Sequence, residues 1–204
     1  MHISEGVLSG PVLASGAVIA LAGTALGLKK IDYDRIVHVA ILASAFFVAS
    51  LIHVNIGPGS AHLVLNGIVG LLLGMAAFPA ILTALILQAV LFQFGGITVL
   101  GVNLLIMALP AVLAHYLCLP MVGRSPKMTF LAGFAAGTGC VLFSALLLGG
   151  ALWLTDQNFL ETSLALILAH LPVMVIEGIV TGYCTVFLLK VYPDILPVKG
   201  AEHR

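Results

Sequence analysis

The sequence predicts an all-α fold: a polytopic membrane bundle of seven transmembrane helices, N-terminus outside and C-terminus in the cytoplasm. Three observations predict it. The 204 residues are 61% apolar and 8% charged, against roughly 45–50% and about 25% in an ordinary soluble domain, and the mean hydropathy is +1.21. Apolar runs long enough to cross a bilayer, about 20 residues each, recur along the whole chain. The Lys and Arg residues fall in a few breaks that an odd number of spans brings to one side.

A water-soluble globule of this size leaves about a quarter to a third of its unfolded surface exposed, and this composition has too little polar surface to cover it. The solvent is therefore lipid. The eight basic and eight acidic side chains cancel, which leaves no basic field for nucleic acid. Cys118, Cys140 and Cys184 lie in apolar runs without C-x-x-C spacing and read as small buried hydrophobes. The opening Met1-His2-Ile3-Ser4-Glu5-Gly6 has neither a basic region nor an apolar core, so the start methionine is expected to stay on the mature protein.

The first span covers residues 7–28 and ends at Lys29-Lys30; the second covers 36–56, where Gly57-Pro58-Gly59 breaks the chain. The third starts near Ala61 and fades at Met75, and Pro79 suits the first turn of a fourth that ends at Gly95-Gly96. The fifth, sixth and seventh cover 97–122, 129–154 and 162–190, with Tyr192-Pro193 as a stop. Residues 61–94 read either as one long tilted helix or as two short ones joined between Gly74 and Pro79. Charge decides, because Lys and Arg accumulate on the cytoplasmic side. Seven spans put Lys29, Lys30, Arg35, Arg124, Lys127, Lys190, Lys199 and Arg204 all inside, whereas six would split them. Outside lie residues 1–6, the Gly57-Pro58-Gly59-Ser60 loop, the Gly95-Gly96 turn and the acidic loop of Asp156 and Glu161. No linker or repeat divides residues 1–204, which read as a single transmembrane domain. Gly16, Ala20 and Thr24 in the first span, and Gly133 with Gly137 in the sixth, allow close helix packing.

Polar groups at membrane depth are expensive and are functional candidates. His2, His53 at the outer end of the second span and His62 at the start of the third share the outer side. The Met1 amine, the His2 amide nitrogen and the His2 imidazole Nδ1 can close fused five- and six-membered chelate rings on one metal ion. A second imidazole would complete a plane of four nitrogens, a set that suits Ni(II) or Cu(II). His62, after an irregular glycine-rich loop, is the first choice for that imidazole and His53 its competitor. His38, His115 and His203 read as interfacial or hydrogen-bonded histidines. Gln88, Gln93 and Asn103 are further polar groups at depth. His170 and Glu177, seven residues apart, fall on one helical face and suggest either a proton or cation path or a structural interhelical bond.

Four segments in order, Met1-His2-Ile3-Ser4-Glu5-Gly6, Gly57-Pro58-Gly59-Ser60-Ala61-His62-Leu63, Gly95-Gly96-Ile97-Thr98-Val99-Leu100-Gly101-Val102-Asn103 and Glu177-Gly178-Ile179-Val180-Thr181, resemble the CbiM/NikM family across nearly the whole chain. Its members are the cobalt- and nickel-binding S components of energy-coupling-factor transporters. The resemblance implies a seven-helix bundle whose N-terminus is tucked inward, with Met1, His2 and His62 as metal ligands and Glu5, Ser60 and Asn103 as supports. It also implies partners: a transmembrane coupling subunit, a pair of ATPase subunits and a small accessory membrane protein. The loop before His62 is closer to nickel-type members than to the Cys- and Pro-containing loop of many cobalt-type members. On this reading the chain is a transport subunit in a prokaryotic plasma membrane, has no catalytic residues and no resident cofactor, and takes Ni2+ or Co2+ as its cargo.

No G-x-x-x-x-G-K-[ST] loop is present, so ATP hydrolysis belongs to partners. A stand-alone channel or proton-coupled carrier using Glu177 and His170 is the alternative. A hydrolase built on Ser60 is disfavoured by the lack of a G-x-S-x-G elbow.

Overall fold

The computed structural model describes residues 2–31, 36–51, 53–56 and 59–197, and for 53–56 and 59–62 it describes the backbone course alone. Among these residues the helices are α1 (Gly10–Leu28), α2 (Ile36–Ala49), α3 (Asn66–Leu73), α4 (Ala77–Phe92), α5 (Leu100–Cys118), α6 (Pro126–Thr155), α7 (Leu160–Ala169) and α8 (Leu171–Val191). A two-stranded antiparallel hairpin, β1 (His53–Ile56) and β2 (Gly59–His62), stands between α2 and α3. Among the described residues five stretches are long and apolar enough to cross a membrane: Gly10–Leu28, Asn66–Phe92, Leu100–Met121, Pro126–Thr155 and Gln157–Val191.

Side-chain contacts fix the course of the chain. α1 and α5 run in the same direction, since Gly16 meets Val102 near the start of both, while Gly27 meets Met75 and Pro79 beside the turn where Gly74 abuts His115. α6 returns antiparallel to α5, with Cys140 donating to the Pro110 carbonyl and Asn66 reaching both Met107 O and Ser144 Oγ. α8 is antiparallel to α6: Gly133 packs on Thr181, Gly182 and Thr185, and Gly137 on Glu177 and Thr181. These two glycines of α6 are thus spent inside the bundle. The described basic residues at helix ends, Lys29, Lys30, Arg124, Lys127 and Lys190, consequently gather at one end of the bundle. His2, the loop after α4 and Asp156 lie at the other.

The stretch 61–94 resolves into two helices running in opposite directions. α3 follows α5, with Asn66 at the level of Met107, Gly70 at Ala111 and Gly74 at His115. A 3-10 turn over Gly74–Ala76 then reverses the chain, and α4 climbs back from Pro79 beside Gly27 to Gln88 beside His2. Gly74 takes φ 53° and ψ −125° at the reversal, a backbone state open chiefly to glycine. The eight residues of α3 rise about 12 Å, less than half of the roughly 30 Å hydrocarbon core. α3 is therefore a half-span buried in protein.

Two expected boundaries change. The second helix stops at Ala49 rather than 56, and the third begins at Asn66 rather than Ala61, because His53–Ile56 and Gly59–His62 pair as strands. A short apolar run of 4–8 residues satisfies helix and strand alike by hydropathy, and non-helical backbone is tolerated at membrane depth where protein surrounds it or it lines a cavity. The seventh expected helix is interrupted at His170, with Pro172 at the start of α8. Proline has no N–H to continue the ladder of the preceding turn.

Among the described residues the buried apolar side chains form one large cluster and three smaller ones. In the largest, Ile3 and Phe46 pack with Leu104, Met107, Leu148, Leu152 and Leu166 from α5, α6 and α7, all fully enclosed. The outer surface is also apolar, with Leu21, Leu117 and Leu154 each about 70% exposed, as a lipid-facing surface requires. Cys140 is buried as expected, but Cys184 is exposed on that outer face.

Candidate functional site

The N-terminal segment folds back into the bundle and is held at three points. Asn103, in the first turn of α5, grips the backbone of Ile3 from both sides: the Ile3 N–H donates to Oδ1 at 2.9 Å and Nδ2 donates to the Ile3 carbonyl at 3.1 Å. This is the geometry of a strand edge copied by one side-chain amide, and it satisfies backbone groups that are costly to bury alone. The Ile3 side chain is completely enclosed, which anchors the segment in the core.

Glu5 makes the second hold. Its N–H donates to the Gly95 carbonyl at 3.1 Å, and its Oε1 accepts the Thr98 N–H at 3.0 Å. The Thr98 N–H is the main cause that keeps the Glu5 carboxyl below its ordinary range, since a bond donated to the charged form favours that form. Gly96 gives Glu5 its room: a Cβ there would sit 1.9 Å from Glu5 Cγ, on a backbone with φ 131°. The Gly95-Gly96 pair thus does more than end α4.

His2 makes the third. It is 5% exposed, and its Nε2 lies 2.6 Å from Gln88 Oε1 in the last part of α4. The Gln88 amide Nε2 donates to the Ser50 hydroxyl just beyond α2, and that hydroxyl donates to the Phe47 carbonyl at 2.6 Å. Gln88 and Ser50 are both buried. Three helices thus meet on His2 and Ile3.

Below the hairpin, Glu177 of α8 is fully buried, and its Oε1 accepts the N–H groups of Val64 and of Leu65, the latter at 2.8 Å. Leu65 is the residue before α3 and has φ 56°. The carboxylate therefore caps the start of α3 from another helix, and its Oε2 makes no hydrogen bond among the described residues. His170 places Nδ1 2.7 Å from the Leu166 carbonyl at the α7–α8 break. Both residues of the expected polar face are engaged with backbone.

Of the residues singled out by sequence, the structure brings His2, Glu5 and Asn103 together. Met1 and the side chains of His53, Ser60 and His62 lie outside the described residues. The backbone of the hairpin sets His53 opposite His62 and Asn55 opposite Ser60, so the two competing histidines are register partners, not residues of two successive helices. Among the described residues no group of three His, Cys, Asp or Glu converges on a metal position. His115, with Nδ1 beside the Gly70 and Leu71 carbonyls, is a hydrogen-bonded histidine as expected, and His38 stacks on Tyr192. Sequence reading missed the link from His2 to Gln88 and Ser50. Gln88 stood out as a polar group at depth, but nothing local told which of its neighbours it serves.

Residues 2–195 match the family model described as cobalt uptake substrate-specific transmembrane region. The chain belongs to this CbiM family. A Haemophilus influenzae relative named for metal transport is 43% identical, over 96% of this chain and 97% of its own length. The cobalt transport protein CbiM of Sorangium cellulosum is 28% identical over 96% of this chain and 94% of its own, and the fused nickel transport protein NikMN of Rhodobacter capsulatus is 31% identical over 98% of this chain and 65% of its own. A crystal structure of a transition metal transporter superposes with a TM-score of 0.78 at 25% identity, covering 94% of this chain and 93% of the other. As a CbiM-family chain, this multi-pass membrane protein has the fold of that transporter.

Proposed function

We propose that this chain is the metal-capturing subunit of an ATP-driven uptake transporter for Ni2+ or Co2+, and that the ion is held by the Met1 amine, the His2 amide nitrogen and imidazole, and His62. The observation that carries the reading is the inward fold of the N-terminal segment. A polar N-terminal segment enclosed in a membrane bundle needs a reason, and here His2, 5% exposed, meets Gln88 while Asn103 grips the backbone of the next residue, Ile3. A terminal amine beside such a histidine is a ready chelate for a square-planar ion. The names of the relatives, covering both cobalt and nickel, agree with a transition-metal cargo.

On the positive-inside rule we read the end where the basic residues gather as the cytoplasmic one; on that reading the N-terminal site faces outward in a prokaryotic plasma membrane and the chain passes from side to side seven times, the third pass made by the half-span α3 together with the hairpin before it. The ion enters from outside. Binding expels protons from the amine and the amide, so capture is coupled to pH. Reorientation and release are driven by partners: a transmembrane coupling subunit, ATPase subunits and a small accessory membrane protein. A fused cobalt transport protein of Methanocorpusculum labreanum aligns with this chain over 36% of its length, consistent with further transport components joined to such a subunit.

The test is metal content and visible absorption of the purified chain loaded with Ni(II), for wild type, His2→Ala, His62→Ala, and a chain with one alanine inserted between Met1 and His2. A yellow, diamagnetic, one-to-one complex lost in all three variants is the expected result. Unchanged binding in the insertion variant overturns the amine as a ligand, and absence of stoichiometric metal in the wild type overturns the site.

A further inference from the structure

We infer that Ser50 and Gln88 set the tautomer of His2: the relay from the Phe47 carbonyl fixes the imidazole proton on Nε2 and turns the proton-free Nδ1 toward the chelate. The inference rests on the metal reading for its consequence, but its geometry is independent of any ion. No local sequence pattern points to it, because the three residues come from the turn just after α2, from α4 and from the N-terminal segment.

The direction of the relay follows from what each group can do. The Phe47 carbonyl only accepts, and Ser50 Oγ lies 2.6 Å from it, so the hydroxyl proton is committed there. The Ser50 oxygen is then an acceptor, and the group of Gln88 that faces it is the amide NH2. That fixes the amide the other way round at its far edge: Oε1, an acceptor, faces His2 Nε2 at 2.6 Å. An acceptor at this distance requires Nε2 to donate. In a neutral imidazole only one nitrogen carries the proton, so Nδ1 holds the lone pair.

The chemistry makes this choice matter. Nδ1 is the nitrogen that closes a six-membered ring with the His2 amide, whereas Nε2 points away from the backbone and cannot reach the same ion. An imidazole with its proton on Nδ1 presents no lone pair to the chelate. Histidine ligands generally give their other N–H to an oxygen acceptor, which fixes the tautomer and the ring plane and raises basicity. Gln88 supplies that oxygen here, and Ser50 prevents the amide from flipping. Both are positioning residues that never touch the ion. Burial adds force, since Gln88 is 0% and Ser50 1% exposed and no water competes for these bonds.

The experiment is nitrogen-15 NMR of histidine-labelled full-length chain in detergent, metal-free, at pH about 8.5, above the ordinary imidazole value of about 6.5. His2 signals are assigned by their loss in His2→Ala, and Ni(II) affinity is measured on the same samples. Wild type is expected to show Nε2–H alone. Gln88→Met, which keeps the volume without hydrogen bonding, and Ser50→Ala, which frees the amide to flip, are expected to show exchanging tautomers and about 10–100-fold weaker Ni(II) binding. Ser50→Thr keeps the hydroxyl and should restore both. A wild-type His2 with its proton on Nδ1 overturns the inference. So does an unchanged tautomer signal with unchanged affinity in Ser50→Ala, the milder variant should Gln88→Met fail to fold. Wild-type Nε2–H without stoichiometric nickel leaves the relay standing and overturns only the metal reading.

Discussion

Glu177 and Leu65 are 112 residues apart in sequence, yet the carboxylate Oε1 of one accepts the backbone N–H of the other at 2.8 Å. The same oxygen takes the N–H of Val64. An acidic side chain in the middle of an apolar span thus anchors the junction between the hairpin and the half-span α3, two residues beyond His62. This assigns the intramembrane glutamate a structural task.

Glu177→Leu should leave two buried N–H groups without acceptors, at about 1–3 kcal/mol each. For a chain of this size each kcal/mol shifts the midpoint by roughly 2–4 °C, so thermal unfolding in detergent should drop by several degrees. Glu177→Gln retains one acceptor oxygen and should lose clearly less. Equal losses in both variants would show that the charge, not the acceptor, matters.

Asn103→Leu should release the N-terminal segment while sparing the bundle. Two backbone hydrogen bonds to Ile3 go, worth about 0.5–1.5 kcal/mol each, which lowers the docked fraction on the order of tenfold. Removal of Met1 by an added aminopeptidase should accelerate accordingly, and Ni(II) content after desalting should fall. The helical circular dichroism signal should stay the same.

Gly96→Ala brings a Cβ to 1.9 Å from Glu5 Cγ on a backbone at φ 131°. Both the clash and the strained φ act against the docked segment, so the aminopeptidase assay should again show faster loss of Met1. Adding Glu5→Ala removes the clash but not the strain. The double variant should recover only in part.

The pH dependence divides between two windows. Because the Thr98 N–H holds the Glu5 carboxyl below its ordinary range, the contribution of Glu5 to docking is fully present above the unfolded value of about 4.3. It is lost only as pH falls through the lower folded value. On the proposed chelate, loss of Ni(II) affinity between about pH 8 and 5 is therefore expected from the amine and imidazole, with ordinary values of about 7.7–8.0 and 6.5. Titrations of wild type and Glu5→Gln should show the same midpoint in that window. A midpoint shifted by a full unit in Glu5→Gln would assign part of the effect to Glu5.

The sequence by itself determined the solvent, the helical class, the end at which charge collects and the N-terminal candidates. Each follows from local composition: apolar runs near bilayer length, basic residues at their breaks, and a histidine beside a chain end. His2, Glu5 and Asn103 were legible for that reason, and the structure brings them together. Tertiary structure decided what hydropathy leaves degenerate. His53–Ile56 pairs with Gly59–His62 as strands and the stretch from 66 to 92 reverses at Gly74, because backbone pairing and packing against α5 choose among conformations that hydropathy does not distinguish. It also decided the partners of Gln88, Ser50 and Glu177. A buried polar side chain announces only that it needs a bond, and the group that meets the need comes from wherever the packed helices bring a donor or acceptor within 3 Å.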